Sequence, residues 1–393
     1  MAARPAWLLD ITRLVDRLDG RPLTGVDRVE AAYLRELIAR DDRALFLWWR
    51  RAPVSVLLPG QAGALLMAVI DGQADPGGLR ARLAAQRLGG APDLWVPRLI
   101  RRWLPGGGDY LNTGHVNLRP RGLAALRRAG LRVQVMIHDT IPLDLPQHQA
   151  EDQPARFRAK LIAALTGADR LIANSALTAD DLRRWSARLG VPCPPILTAP
   201  LGVVPPAPGH DQTPLPPGLP PKAPFFVTVG TIEPRKNHAL LLDAWDLLAR
   251  RMDRVPGLLI LGRRGWATPS LLARLDALPP DGPVVQAAGL SDAQLARLIA
   301  ASHGLLMPSL AEGVGLPMLE AADLGVPVLA APLPTATEFL GDAVTTLPWG
   351  DAAAWADAIA AAAARPRARP AYPALPRWSD HFNLVLSDGG PAG

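Results

Sequence analysis

Two glutamates flank a glycine-bearing loop in the stretch PSLAEGVGLPMLEAADLGVP. Glu312 lies among small residues, whereas Glu320 lies eight positions later inside an apolar run that indicates an early helix. Gly313 and Gly315 leave the intervening backbone amides approachable, and Pro317 suits the first helical turn. Carboxylates on both sides of free amides suit a ligand with hydroxyl groups at both ends and phosphates between them, as in a nucleotide sugar. For Glu320 alone, an interaction with the helix dipole is the structural alternative.

Two adjacent cations, Arg235 and Lys236, follow a predicted strand in the stretch FFVTVGTIEPRKNHALLLDAW. The strand ends at Gly230, and the helix after the cations carries an apolar stripe formed by Leu240, Leu241, Ala244 and Leu248. Cations placed where a strand turns into a helix can bind a diphosphate. A solvated loop is the structural alternative.

Polar residues follow apolar runs in the first half of the chain as well. Thr24 and Gly25, in PLTGVDRVEAAYLREL, predict a strand-to-helix turn whose free amides can meet an anion, or an ordinary capped turn. His138 and Asp139, in RVQVMIHDTIP, come at the end of a predicted strand. A histidine there can hydrogen-bond a sugar hydroxyl or move a proton, and a structural histidine bound to a neighbouring carbonyl is the alternative.

Asn174 and Ser175, in ANSALTADDL, occupy a comparable position after a predicted strand. Their residue types are also those of a helix cap, and we favour that interpretation. Ligands of open α/β sheets bind outside the carboxyl ends of the strands. The polar residues after the strands of both halves are therefore the candidates for one binding cleft.

Short apolar runs alternate with helical stretches along the chain, which predicts parallel α/β units. The predicted strands are AWLLDI, ALFLWW, DYLNTG, RVQVMI, RLIANS and PPILTAP in the first half and FFVTVG, GLLILG, PVVQAAG, GLLMPS, VPVLAAP and AVTTLP in the second. A proline-rich segment between the halves predicts a semi-rigid linker. We therefore predict two doubly wound Rossmann-like domains that face each other across a cleft, with an N-terminal domain at 1–202, the linker at 203–224, a C-terminal domain at 225–367 and a tail at 368–393.

The composition favours a globular, cytoplasmic protein. At 393 residues, with 49% hydrophobic and 20% charged residues, the chain is long enough for two buried cores. The single cysteine, Cys193, excludes an intramolecular disulfide and a thiolate-rich zinc site, as expected in a reducing compartment. The N-terminus meets charges too early for a signal peptide, and prolines and glycines interrupt the longest uncharged run, Ala52 to Ile70. We therefore expect no membrane-spanning helix.

The formal net charge of +6 comes almost entirely from arginine, because Lys160, Lys222 and Lys236 are the only lysines among 42 basic residues. A coding habit explains this bias best, although a basic face could attract nucleic acid or anionic lipid. The stretch IRRWLPGGG around Trp103 favours peripheral attachment to the inner face of a membrane, and a freely soluble enzyme is the alternative. We expect no nucleic-acid partner. Where arginine is the default cation, a lysine carries more information.

These stretches resemble the retaining glycosyltransferases of family 4, which have the two-domain GT-B fold. EGVGLPMLE is similar to that family's motif of two glutamates separated by seven residues, and VGTIEPRKNHALLLDAW is similar to its diphosphate-binding strand, loop and helix. The resemblance is specific from Phe225 to Trp349, whereas TGVDR, HDTIP and NSALT match the family in position and character. HDTIP and EPRKN look most like the mannosyltransferase-like branch.

The resemblance implies roles for the matching positions. Glu312 and His138 would be the catalytic residues, with both side chains in contact with the donor sugar. Glu320 would hold the ribose hydroxyls, and Lys236, aided by Arg235, would neutralise the diphosphate. Further donor contacts would come from Gly25, Gly230, Thr231, Gly313, Val314, Gly315 and Leu316. The acceptor side would include Asp139, Asn174 and Ser175.

One departure concerns Thr231, since many members of the family carry an arginine at that position. Arg235 would compensate, so its role is less secure than that of Lys236. In this fold the C-terminal tail commonly returns to the first domain, and we expect the same here.

The resemblance implies a retaining hexosyltransferase of surface polysaccharide biosynthesis. GDP-mannose is the favoured donor, a UDP-sugar is the second choice, and the acceptor would be a glycan or a lipid-linked glycan. We expect no cofactor and no metal, because cations and helix-terminal amides would stabilise the departing diphosphate and the chain has no Asp-x-Asp pair. The alternatives are a basic GT-B-fold binding protein without catalysis, a sugar-nucleotide epimerase, or a phosphorylase, which would need a pyridoxal-phosphate lysine.

Overall fold

The computed structural model describes residues 5–18, 23–203, 213–221 and 224–387, and its fourteen strands and sixteen α-helices lie in these ranges. The chain divides into two compact units. Of the described residues, the first contains those up to Thr140 together with Pro154–Ala199, and the second contains Ile141–Gln153 together with those from 200 to 387. Part of the predicted linker, 204–212 and 222–223, lies outside the described residues. The domain boundaries given above stay a prediction.

The first unit contains one eight-stranded sheet. Its strands are β1 (Ala6–Asp10), β2 (Ala44–Arg51), β3 (Val54–Pro59), β4 (Gly89–Ala91), β5 (Gly108–Asn112), β6 (Leu131–Ile137), β7 (Arg170–Ala173) and β8 (Ile196–Thr198). They are arranged in the order β4-β3-β2-β1-β5-β6-β7-β8, with β3 antiparallel to its two neighbours and the other pairs parallel. All five residues of β1 are buried, as expected for a central strand covered on both faces.

The sequence analysis missed β3 and β4. The β3 strand lies inside the uncharged run that begins at Ala52. This run is apolar without the alternation of apolar and polar residues that indicates a strand. The three residues of β4 are Gly-Gly-Ala, which have little strand propensity. The other six strands of this sheet occur where the apolar runs predict them.

In the described ranges, nine α-helices lie between β1 and β8 in the sequence, and the one at Ile141–Asp144 belongs to the second unit. They are α1 (Thr12–Arg17), α2 (Gly25–Ala39), α3 (Gly63–Ile70), α4 (Leu79–Ala85), α5 (Val96–Trp103), α6 (Pro120–Arg128), α7 (Ile141–Asp144), α8 (Gln153–Gly167) and α9 (Ala176–Leu189). No helix in the described part of the chain combines the length and the apolar character that a membrane span requires.

The second unit contains a six-stranded parallel sheet. Its strands are β9 (Phe225–Val229), β10 (Gly257–Leu261), β11 (Val284–Ala287), β12 (Gly304–Met307), β13 (Val328–Ala330) and β14 (Thr345–Thr346). The order β11-β10-β9-β12-β13-β14 is that of a doubly wound nucleotide-binding sheet, and it reverses between β9 and β12. All six strands were predicted from the sequence, and the predicted α/β class with two doubly wound units is confirmed.

Seven helices follow in this unit: α10 (His238–Arg251), α11 (Pro269–Asp276), α12 (Asp292–Ala301), α13 (Leu316–Asp323), α14 (Pro334–Leu340), α15 (Ala352–Ala363) and α16 (Trp378–Val385). The predicted apolar stripe of α10 is buried, and Trp245 of α10 and Trp355 of α15 belong to the same core cluster. In α16, His381 Nδ1 lies 3.1 Å from the Pro200 carbonyl oxygen. The return of this helix to the first domain stays a prediction.

Candidate active site

The loops after β9 and β12 meet where the strand order of the second sheet reverses. Ligands of doubly wound sheets bind at such a point, outside the carboxyl ends of the strands. Hydrogen bonds join the loops: the Leu310 N–H donates to the Arg235 carbonyl oxygen at 2.9 Å, and Asn237 Nδ2 donates to the Pro308 carbonyl oxygen at 3.3 Å. The cations and the first glutamate predicted from the sequence lie on these loops.

Glu312, Arg235 and Lys236 form one ion-pair cluster. Glu312 Oε1 lies 2.7 Å from Lys236 Nζ and 3.0 Å from Arg235 Nη1. The side chains are largely buried, with exposed fractions of 9% for Glu312, 15% for Arg235 and 11% for Lys236. The fold therefore brings together a carboxylate and two cations that are far apart in the sequence.

Arg235 is also bound to its own loop and to the neighbouring loop. Its Nη2 lies 2.6 Å from Glu233 Oε1, and its Nη1 donates to the Ala311 carbonyl oxygen at 2.6 Å. Glu233 is buried, and the sequence analysis missed it, although an acidic residue two positions before a cation pair was a usable signal. Arg235 thus braces the site in addition to contributing charge.

The charge of Glu312 is set by opposing effects. Burial alone would raise the pKa of the carboxyl group, but the charges of Arg235 and Lys236 and the hydrogen bond from Lys236 outweigh burial. They lower the pKa of Glu312 from 4.5 to about 2. The carboxylate is therefore ionised at neutral pH, and it partly neutralises the two cations when no other anion is bound.

Gly230, at the end of β9, lies directly against the side chain of Lys236. Gly230 has a φ of +146°, and a Cβ atom added there would lie 3.0 Å from Lys236 Cε. A Cβ atom on Gly262, which follows β10, would lie 1.9 Å from the Gly230 carbonyl oxygen. Thr231 comes next and is partly buried. Position 262 therefore has to be glycine for the two strand ends to approach each other, and the sequence analysis did not identify this residue.

The helix α13 begins directly beside Glu312. Its N-cap, Gly315, has a left-handed φ of +79°, and no side chain caps this helix end. Val314 is buried, Gly313 is partly buried, and Leu316 is the first helical residue. The amide end of α13 and the two cations therefore surround one carboxylate, an arrangement that suits an anionic ligand.

Glu320 lies in the second turn of α13, one turn beyond the predicted first-turn proline. It is partly buried and has interactions within the protein. Gly325, with a φ of +66°, follows the end of the helix. The predicted spacing of a loop glutamate and a helical glutamate is present, and the ribose-binding role of Glu320 stays a prediction.

In the first unit, His138 is buried and bound to the backbone. Its Nε2 donates to the Thr113 carbonyl oxygen at 2.7 Å, and its backbone N–H donates to His115 Nε2 at 3.0 Å. The rings of His115 and His138 have centroids 4.9 Å apart. The sequence analysis gave a structural histidine bound to a neighbouring carbonyl as the alternative, and this hydrogen bond is of that kind. The role of His138 toward a sugar stays a prediction.

The remaining first-half candidates lie at helix starts. Gly25 is the first residue of α2, where Asp27 Oδ2 accepts from the Thr24 N–H at 2.7 Å. Ser175 is the N-cap of α9, and its Oγ accepts from the Thr178 N–H at 3.0 Å. The favoured helix-cap interpretation therefore describes Ser175.

The two remaining acceptor-side candidates differ in burial. Asn174 is buried and its Oδ1 atom has no hydrogen-bond partner, whereas Asp139 is partly buried and has partners within the protein. Neither observation assigns a ligand to these side chains. Their acceptor-side roles stay predictions.

The sequence analysis missed a polar network at the strand-order reversal of the first sheet, between β1 and β5. Asp10 Oδ2 accepts from the Tyr110 hydroxyl at 2.6 Å and from Asn117 Nδ2 at 2.8 Å, and Asn117 Nδ2 also lies 2.8 Å from Thr12 Oγ1. Asp10 is the last residue of a buried strand, and that position was the available signal.

Within the described ranges, no group of three or more His, Cys, Asp or Glu side chains is arranged to hold a metal ion. The independence of the chemistry from metal stays a prediction.

Comparisons with known proteins agree with this architecture. A profile of the family described as Glycosyl transferases group 1 matches residues 223–365. The serotype-specific mannosyltransferase WbdA of Escherichia coli is 34% identical over 225 residues, which are 54% of this chain and 28% of WbdA. The O-antigen chain mannosyltransferase B of Escherichia coli is 35% identical over 119 residues, which are 30% of this chain and 31% of that protein. The chain thus spans less than a third of the length of these relatives.

Among solved structures, Anabaena HepE in complex with UDP and glucose superimposes with a TM-score of 0.60. The match covers 97% of this chain and 95% of HepE at 16% identity, which shows a shared fold. The profile match and this fold lead to one conclusion: residues 223–365 are similar to the family described as Glycosyl transferases group 1, in a chain that has the GT-B fold.

Proposed function

We propose that the chain is a retaining glycosyltransferase that moves a hexose from a nucleotide sugar to a glycan or lipid-linked glycan acceptor in surface polysaccharide assembly. One observation carries the proposal: Glu312 is held by Lys236 and Arg235 at the start of α13, where the strand order reverses. Both relatives are named mannosyltransferases, and one of them is named for the O-antigen chain, which supports GDP-mannose as the donor.

The cluster fits the charge that develops when the bond between sugar and diphosphate breaks. The leaving diphosphate gains negative charge, which Lys236, Arg235 and the amide end of α13 would stabilise. Phosphate oxygens would then replace Glu312 as partners of the cations. The released carboxylate would face the donor sugar, where the transition state gains positive charge.

In a retaining mechanism, the leaving diphosphate would take the proton of the acceptor hydroxyl. The acceptor hydroxyl would attack from the face on which the diphosphate departs, and a phosphate oxygen would accept its proton. His138 would then support the sugar without acting as an obligatory base. The hydrogen bond from its Nε2 to the Thr113 carbonyl oxygen fixes the ring and agrees with that role.

We also propose peripheral attachment to an anionic membrane through α5 and the residues before it. Leu94 and Trp95 are 79% and 53% exposed, and Trp103 at the end of α5 is 36% exposed. Arg98, Arg101 and Arg102 lie on the same helix and are exposed. Exposed tryptophan next to arginine is typical of residues at a membrane interface.

Flotation with anionic liposomes tests this attachment. The protein should float with the vesicles at low salt and less at high salt, because nearby cations add about 1 kcal/mol each to membrane binding. Trp95→Ser should weaken flotation, with the exposed Trp266→Ser of the other unit as the matched control. Absence of binding at low salt would end the proposal.

A thermal-shift panel of nucleotide sugars, followed by a donor-hydrolysis assay in EDTA, tests the enzymatic proposal. GDP-mannose should raise the melting temperature more than the other nucleotide sugars, and hydrolysis should proceed without metal. Binding without hydrolysis or transfer would favour a non-catalytic binding protein. Activity that disappears in EDTA and returns with magnesium or manganese would contradict metal independence.

A further inference from the structure

A chain of contacts in the first unit leads from α1 to α8 and joins two cations. A Cβ atom on Gly114, which follows β5, would lie 3.0 Å from Arg13 Cβ, so Arg13 lies against this residue. The next residue, His115, has its ring centroid 5.9 Å from that of Phe157 on α8. Lys160 lies three positions after Phe157 and therefore on the same helix face. Arg13 and Lys160 thus flank the loop after β5.

Among the residues that the structure describes, Lys160 has no counter-ion. It is partly buried, and no described residue forms an ion pair or a hydrogen bond with its ammonium group. Burial lowers the pKa of Lys160, and the charges of Arg13 and Arg156 lower it further. A lysine that is partly desolvated among like charges is unfavourable unless an anion joins it.

The carboxylates around Arg13 do not neutralise the group. Asp27 Oδ1 lies 2.6 Å from Arg13 Nε, and Asp27 Oδ2 lies 3.2 Å from Arg17 Nε, so one carboxylate serves two arginines. Burial raises the pKa of Asp10 and raises the pKa of Glu30 well above its usual range, and among the described residues neither carboxyl group forms an ion pair with Arg13 or Lys160. Positive charge therefore remains in excess.

Arg13 keeps part of its guanidinium available to a ligand. Its Nε is bound to Asp27, and its Nη2 donates to Thr24 Oγ1 at 3.2 Å. Within the described ranges, Nη1 has no acceptor, and the side chain is 25% exposed. The Asp27 and Thr24 bonds hold the guanidinium in one orientation, which favours recognition of a tetrahedral anion.

We propose that Lys160 and Arg13 form an anion subsite of the first unit that binds a phosphate group of the acceptor. The subsite lies beside the carboxyl ends of β1 and β5, where the strand order of the first sheet reverses and ligands of such sheets bind. The proposal rests on the proposed function, because it assumes that the first unit receives the acceptor. It narrows the acceptor class to molecules that carry a phosphate ester or a diphosphate.

The test uses the full-length protein saturated with GDP, so that a nucleotide occupies the diphosphate site of the second unit. Glycerol 3-phosphate is titrated by calorimetry into the wild type and into Lys160→Gln, Lys160→Arg and Arg158→Gln. Arg158 is exposed on the same helix and provides the same change of charge. Thermal melts of each variant show whether the first unit is folded.

Lys160→Gln should bind glycerol 3-phosphate about tenfold more weakly than the wild type, the usual effect of losing one charge-assisted hydrogen bond. Lys160→Arg should restore most of the affinity, and Arg158→Gln should leave it unchanged. Equal binding by the wild type, Lys160→Gln and Arg158→Gln would overturn the subsite. A wild type that fails to bind GDP would count against the proposed function, and the comparison of the Lys160 and Arg158 variants would still decide the subsite.

A competition arm identifies the source of the phosphate. A short-chain prenyl diphosphate represents a lipid-linked acceptor, and glycerol 3-phosphate represents a soluble phosphate ester. Tighter, Lys160-dependent binding of either molecule supports the subsite and names the acceptor class. If the wild type and Lys160→Gln bind both molecules with the same affinity, the subsite is contradicted.

Discussion

The ammonium group of Lys236 lies 2.7 Å from Glu312 Oε1, so the cation assigned to the diphosphate is bound by the carboxylate assigned to the sugar. An anionic ligand that binds at Lys236 must compete with this carboxylate. The ion pair therefore keeps both groups in place, and its exchange for a phosphate would present Glu312 to the sugar.

Glu312→Gln should lower turnover by about a hundredfold to a thousandfold, the usual effect of removing one group that stabilises transition-state charge. Affinity for GDP should be unchanged or higher, because the amide no longer competes as a charge for Lys236 and Arg235. Single-turnover kinetics and calorimetry measure the two effects. Glu338→Gln, at an exposed position of the same unit, is the control. Weaker GDP binding together with normal turnover would contradict these assignments.

Arg235 and Lys236 should respond differently to loss of charge. Lys236→Gln should weaken nucleotide-sugar binding by about 1.5 to 3 kcal/mol, the range for hydrogen bonds to charged groups. Arg235→Gln should also lower the melting temperature, because Arg235 is bound to Glu233 and to the Ala311 carbonyl oxygen. Calorimetric binding and thermal melts separate the two. If both variants had the same stability, the bracing role of Arg235 would be wrong.

Glu320→Ala should weaken nucleotide binding by about 1 to 3 kcal/mol and leave turnover at saturating donor nearly unchanged. The reason is that a carboxylate that accepts hydrogen bonds from ribose hydroxyls stabilises the bound donor and the transition state equally. Donor affinity and kcat are measured on the same preparation. Unchanged donor affinity would remove the ribose assignment.

The stability of the first unit should depend on pH through Glu30. Burial, and then the charge of Asp10, raise the pKa of Glu30 well above 4.5 in the folded protein. Between pH 4.5 and the raised value, the folded state holds a proton that the unfolded state has lost, so the free energy of unfolding falls as pH rises, by about 1.4 kcal/mol per pH unit for one group.

Glu30→Gln should remove this loss and raise the melting temperature most at the alkaline end of the range. The amide oxygen of the new side chain can still accept the Leu14 N–H, which now lies 3.1 Å from Glu30 Oε1. Glu36→Gln, on a partly exposed face of the same helix, is the control. The same pH dependence in Glu30→Gln and in the wild type would show that Glu30 is not responsible.

Local patterns predicted most of the second unit. Apolar runs located β9 to β14, and the positions of Glu312 and Lys236 after two of these strands placed both residues at the site. Their direct ion pair was not predictable, because it depends on which strands are neighbours in the sheet. Glu233 was missed for a different reason: its partner Arg235 is two positions away, and the acidic residue before the cation pair was a signal that the sequence analysis did not use.

Prediction was weaker in the first unit. Asp10, Glu30 and Tyr110 are polar groups within apolar elements, and their burial follows from pairings that no local period reveals. The strand β3 pairs antiparallel to β2 in a mostly parallel sheet and follows it without an intervening helix. A search for strands that alternate with helices therefore misses it.

The most direct test is the anomeric configuration of the product formed from GDP-mannose and a glycan or lipid-linked glycan acceptor, read by proton and carbon NMR. We expect the α-linked donor to give an α-linked product with the wild type and very little product with Glu312→Gln, while Glu338→Gln behaves as the wild type. A β-linked product, or an α-linked product that Glu312→Gln forms at the wild-type rate, would contradict the account.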